Sequence, residues 1–106
     1  MTSPLNASPN NDAANFPCFP PGQVVATPAA LAALNEYGFS PSTLLTRHLS
    51  GNWGDALPSE DAALNDQALL NGNRILSSYQ IAPRLVVWVI TEWDRSVSTL
   101  LLPDDY

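Results

Sequence analysis

The longest β-type run of the chain is Arg84 to Glu92, and its two alternating faces separate cleanly: Leu85, Val87, Val89 and Thr91 on one, Val86, Trp88, Ile90 and Glu92 on the other. Each face is apolar for three positions, which predicts a strand covered on both sides. Runs at Arg74 to Ile81 and at Val97 to Leu102 flank it through short connections, Ala82-Pro83 and Trp93-Asp94-Arg95-Ser96. Connections this short join antiparallel neighbours, so the pattern predicts a three-stranded meander.

Upstream the periodicity becomes helical. Thr27-Pro28 reads as an N-cap followed by proline at the first helical position, with Gly38 as the stop, predicting a helix over Pro28 to Tyr37. Ser40-Pro41 and Gly51 bracket a second helix, Pro41 to about Ser50, which offers Leu44, Leu45 and Leu49 to the core. Ser59 is expected to cap a third helix ending at Asn71-Gly72, with Glu60 and Asp61 in its first turn and an apolar stripe drawn from Leu64, Ala68, Leu69 and Leu70. Helices in one run followed by strands in another give an α+β class, a layer of about three helices packed on a three-stranded antiparallel meander.

Composition divides the chain into a Pro/Asn-rich arm, residues 1–22, and a single α+β domain, residues 23–106. Within the arm, Phe16-Pro17-Cys18-Phe19-Pro20-Pro21 can lie along an apolar groove at low entropic cost, and is read as a tail docked on its own domain. Ten acidic residues against four basic ones leave a net charge of -6, and all four basic residues are arginines. An acidic, lysine-free chain opposes a phosphate backbone, so no direct nucleic-acid binding is expected. Cys18 is the lone cysteine and His48 the lone histidine, which leaves no metal or cofactor reading. No apolar run reaches spanning length and no basic-then-apolar leader opens the chain, so no membrane partner and a cytoplasmic location are expected.

The densest polar constellation is Arg47-His48-Leu49-Ser50-Gly51-Asn52-Trp53-Gly54-Asp55. Together with the acidic helix carrying Asn65, the run NRILSSY and the stretch VWVITEWDRSVSTLLLPDDY, it resembles a family of small accessory proteins of plasmids and integrative elements, of unknown function. Its members are often labelled "type I restriction endonuclease subunit M". That label does not suit this chain, which has neither a Gly-rich methyl-donor loop nor an Asn-Pro-Pro-aromatic motif. The resemblance spans roughly residues 27–106, leaves the arm outside, and implies a mobile-element context rather than an activity.

Three functions follow from these residues. The first is a protein-binding inhibitor of a host nucleic-acid-processing defence system, anti-restriction or anti-CRISPR, in which Asp55, Glu60, Asp61 and Asp66 match a basic target and Trp88 and Trp93 anchor it. The second is a small ribonuclease or toxin on a barnase- or RelE-like scaffold, with His48 as general acid or base and Arg74 and Arg95 facing the phosphate. Against it, His48 also reads as a partner of the last carbonyls of its helix, and Arg95 as an ion-pair partner of Glu92 or Asp94. The third is a non-catalytic homodimer paired through the sheet face that carries Trp88. The residues favour binding over catalysis.

Overall fold

The computed structural model describes residues 17–106. It is α+β, in the order β1 (Gln23–Ala26), α1 (Pro28–Glu36), α2 (Pro41–Leu49), α3 (Ser59–Asn71), β2 (Ile75–Ala82), β3 (Leu85–Thr91), β4 (Val97–Leu101) and a 3-10 turn at Pro103–Asp105. The sheet is four-stranded and mixed, in the order β1-β4-β3-β2. This corrects the three-stranded antiparallel expectation: β1 pairs parallel to β4, with Gln23 beside Val97 and Ala26 beside Leu100. The meander itself is present, β2 with β3 and β3 with β4 both antiparallel.

Local chemistry explains the helix starts. Thr27 Oγ1 accepts from the Ala30 N–H at 3.1 Å, Ser40 Oγ accepts from the Ser42 N–H at 3.3 Å, and a proline follows each. At α3 the expected cap is displaced by one residue: Pro58 occupies the N-cap position and Ser59 is already helical. Without a side-chain cap, this helix start is supported by Glu60 and Asp61 against the macrodipole.

One sheet face carries the helices, and its core has two parts. Leu34, Leu44, Tyr79, Ile81, Val87, Val89 and Leu100 form the larger; Phe19, Trp53, Ala68 and Ile75 form the smaller. Phe19 brings the described end of the arm into this core, where its ring stacks on Trp53 at 6.4 Å between centroids. Phe16, the arm's other aromatic, lies outside the described residues. On the opposite sheet face, among the described residues, the Tyr106 ring meets Trp88 edge-on at 5.9 Å, and its hydroxyl accepts from Arg74 at 2.6 Å. Asp105 accepts from the Thr27 hydroxyl at 2.6 Å and from the Leu102 N–H at 3.0 Å, which lowers its pKa below the usual carboxylate value.

The outer edge of β2 is closed. The Asn65 side-chain amide donates to the Leu76 carbonyl at 2.6 Å and accepts from the Leu76 N–H at 3.1 Å, as a neighbouring strand would. Two residues on, the Ser78 N–H donates to the Trp53 carbonyl and the Ser78 carbonyl accepts from Ala56. Asp55 takes the Gln80 N–H at 3.3 Å. Gly54 makes this approach possible, because a Cβ there would sit 2.0 Å from the Ser78 carbonyl oxygen.

Candidate functional site

His48 is the centre of the polar constellation, and the structure places it in the core between α2 and the sheet. Its Nδ1 lies 2.6 Å from Ser77 Oγ and its Nε2 2.9 Å from Thr91 Oγ1. Thr91 Oγ1 lies 2.6 Å from Ser98 Oγ, and Ser98 donates to the Pro21 carbonyl at 2.8 Å. That last contact fixes every proton upstream. A carbonyl only accepts, so the single Ser98 proton goes to Pro21; Thr91 must then donate to Ser98, and the Nε2–H of His48 must donate to Thr91. Nδ1 is left as an acceptor for the Ser77 hydroxyl. The chain of bonds thus reads Ser77 to His48 to Thr91 to Ser98 to Pro21, with a neutral imidazole protonated at Nε2.

Burial, and to a smaller degree the nearby Arg95 charge, lowers the His48 pKa from 6.5 to about 3. The helix-end role expected from sequence is corrected here, because both ring nitrogens point to strand hydroxyls instead of helix carbonyls. The signal that could have revealed this is a set of small hydroxyls, Ser77, Thr91 and Ser98, at inward positions of three otherwise apolar strands.

Arg95 occupies a left-handed conformation, φ 59, in the β3–β4 connection. From there its guanidinium donates to the carbonyls of Asn73 at 2.7 Å, Ala68 at 3.0 Å, Glu92 at 3.1 Å and Trp93 at 3.3 Å, and sits over the Phe19 ring. These carbonyl bonds replace the expected ion pair with Glu92 or Asp94. Arg95 thereby ties the connection carrying Trp93 to the C-terminal end of α3, where the charge complements the helix dipole. Gly22 closes against the same connection, a Cβ there falling 2.4 Å from the Arg95 carbonyl. Arg74 binds the Tyr106 hydroxyl and lies beneath its ring, on the far side of the sheet from His48. His48, Arg74 and Arg95 therefore do not converge on one open site. Ser77 and Tyr79 are buried, and Thr99 lies on the opposite sheet face.

The acidic residues divide into two pairs. Asp55 is held by Gln80, and Asp66 accepts from the Trp53 indole N–H at 3.0 Å. Glu60 and Asp61 project from the exposed first turn of α3, and Asp61 borders a shallow groove of about 280 Å³ with Leu64, Arg74 and Leu76. The tryptophans divide as well: Trp53 is buried, Trp88 is half-buried beneath Tyr106, and Trp93 is 67% exposed. Leu64 and Leu70 are exposed, Leu70 by 92%, so the apolar stripe expected on α3 is corrected in part: Ala68 and Leu69 pack on the smaller core as expected, and Asn65 takes the inward place given to Leu64 and Leu70. Among the described residues no three His, Cys, Asp or Glu side chains gather to hold a metal, and no helix is long and apolar enough to cross a membrane. Compared with protein-family models, curated proteins and solved structures, the chain matches none of them.

Proposed function

We propose that this chain is a mobile-element accessory protein that acts by binding another protein, its target being a nucleic-acid-processing defence complex of the restriction or CRISPR kind. The observation that carries this reading is the end of the molecule where Arg95 clamps the Trp93 connection to α3. Two large apolar side chains, Trp93 and Leu70, stand out into solvent there on backbone held by shared hydrogen bonds. A rigidly mounted exposed tryptophan suits an interface anchor, and the acidic α3 suits a basic partner. The groups that RNA cleavage would need are engaged in the fold instead: His48 has both nitrogens bonded in the core, and Arg95 binds carbonyls.

The test is survival of incoming DNA in a host with an active restriction or CRISPR system, with and without the protein. Expression should raise survival, and Trp93→Ser combined with Leu70→Ser should cut the gain at least about tenfold, the equivalent of losing one modest anchor. The variant's thermal midpoint should stay at the parent value, because both side chains are exposed in the isolated chain. No protection by the parent, or equal protection by the variant, would overturn the reading.

A further inference from the structure

The two edges of the sheet are built in opposite ways. The edge at β2 is sealed by Asn65, by the backbone of Trp53 and Ala56, and by Asp55. The edge at β1 is open: among the described residues nothing pairs with its outer side. The Gln23 N–H donates to Ser96 and the Thr27 N–H to Leu100, so alternation turns Gln23, Val25 and Thr27 toward β4 and leaves the N–H and C=O of Val24 and Ala26 directed outward. Val24 and Val25 are 44% and 40% exposed, and Leu31 on the following helix and Tyr37 just past its end are exposed too.

An uncapped apolar edge invites another strand, and charge says which. From Ala13 to Asn35 the sequence has no charged residue, although the whole chain carries -6. A basic partner gains nothing at this edge and is drawn instead to the acidic helix. A second copy of the same acidic chain meets the least repulsion where both copies are neutral. The geometry is self-complementary as well. An antiparallel two-fold pairing centred on Val25 sets Val24 opposite the partner copy's Ala26, and the reciprocal pair likewise, so every outward N–H and C=O of Val24 and Ala26 finds its counterpart. The larger Val24 side chain then lies beside the small Ala26, and the two Val25 residues face each other at the axis.

We propose that β1 is the homodimer interface of this protein, joining two four-stranded sheets into one continuous sheet through antiparallel β1 pairing centred on Val25. The proposal is independent of the target-binding reading, which rests on the exposed Trp93 and Leu70 side chains and not on the outer edge of β1.

The full chain is to be examined by sedimentation or light scattering over a range of concentrations. The expected result is a concentration-dependent rise from 11.4 kDa toward twice that mass. Val24→Pro removes only an N–H that points away from β4, so the fold should persist by circular dichroism while the dimer is lost. Val25→Lys, which sets two like charges face to face at the axis, should act in the same way and serves if the proline variant fails to fold. In a Cys18→Ser background, Val25→Cys should oxidise to a disulfide-linked dimer, because facing residues of a non-hydrogen-bonded pair approach closely. Three results would overturn the proposal. They are a monomer at every concentration, as when residues 1–16 cover this edge within one chain; a dimer that both Val24→Pro and Val25→Lys leave intact; or a dimer without the Val25→Cys cross-link.

Discussion

A histidine that is neutral in the fold but free to ionise when unfolded makes stability depend on pH in a definite direction. For His48 the folded pKa, about 3, lies below the ordinary 6.5. As pH falls through 6.5 the unfolded chain takes up a proton that the folded chain refuses until near 3, so the contribution is complete above 6.5 and drains away below it. Going from about pH 7.5 to about pH 5 should therefore cost about 2 kcal/mol. Denaturant titrations at those two values measure it directly. The window is selective, since Asp94 and Asp105 have pKa values lowered from 3.8 by hydrogen bonds and their contributions are lost only at more acid pH. His48→Gln, although less stable at both pH values because it cannot bridge Ser77 and Thr91, should lose most of the difference. A parent protein equally stable at both would contradict the assigned neutral state.

At the scale of elements, Asn65 shows how tertiary demands override local pattern. A helical stripe drawn through apolar residues would bury Leu64 or Leu70, yet the residue facing β2 is an asparagine whose amide matches both backbone groups of Leu76. Asn65→Leu improves the stripe and orphans an N–H and a C=O, so it should destabilise by about 2 kcal/mol, within the usual cost of unpaired backbone groups. Hydrogen exchange locates the effect: the Leu76 amide should exchange faster while the Val87 amide in the sheet interior keeps its protection. Unchanged exchange at Leu76 would mean that water replaces the amide without loss. This residue also marks where sequence reading stops. Thr27-Pro28 and Ser40-Pro41 announce their helices because capping is local, and the three meander strands announce themselves through β-branched runs with short connections. β1 was not legible, since four residues carry no clear alternation and their partner is the last strand of the chain. Arg95 was legible as a charge beside acids, but its left-handed backbone and its carbonyl partners on α3 belong to the assembled structure. The same holds for His48, whose two partners come from two strands far along the chain.

At the scale of the whole molecule, an overall charge of -6 acts at long range, whereas the contacts that hold a complex act only on touching. The four acids singled out by sequence are not equivalent in this respect. Asp55 and Asp66 are bonded to Gln80 and to the Trp53 indole, so replacing them perturbs the β2 edge and the smaller core before any partner is met. Glu60 and Asp61 stand exposed at the start of α3 and are the pair able to steer a basic partner. Glu60→Gln with Asp61→Asn should therefore slow association a few-fold at low salt, lose that difference near physiological ionic strength, and leave dissociation almost unchanged, as rim charges do. Trp93→Ser should do the reverse, speeding dissociation at both salts with little change in association. Surface-based kinetics against a defence complex that the protein is found to inhibit separates the two. Should the double neutral variant associate at the parent rate at low salt, charge steering by α3 would be excluded, and recognition would rest on the apolar end formed by Trp93 and Leu70 alone.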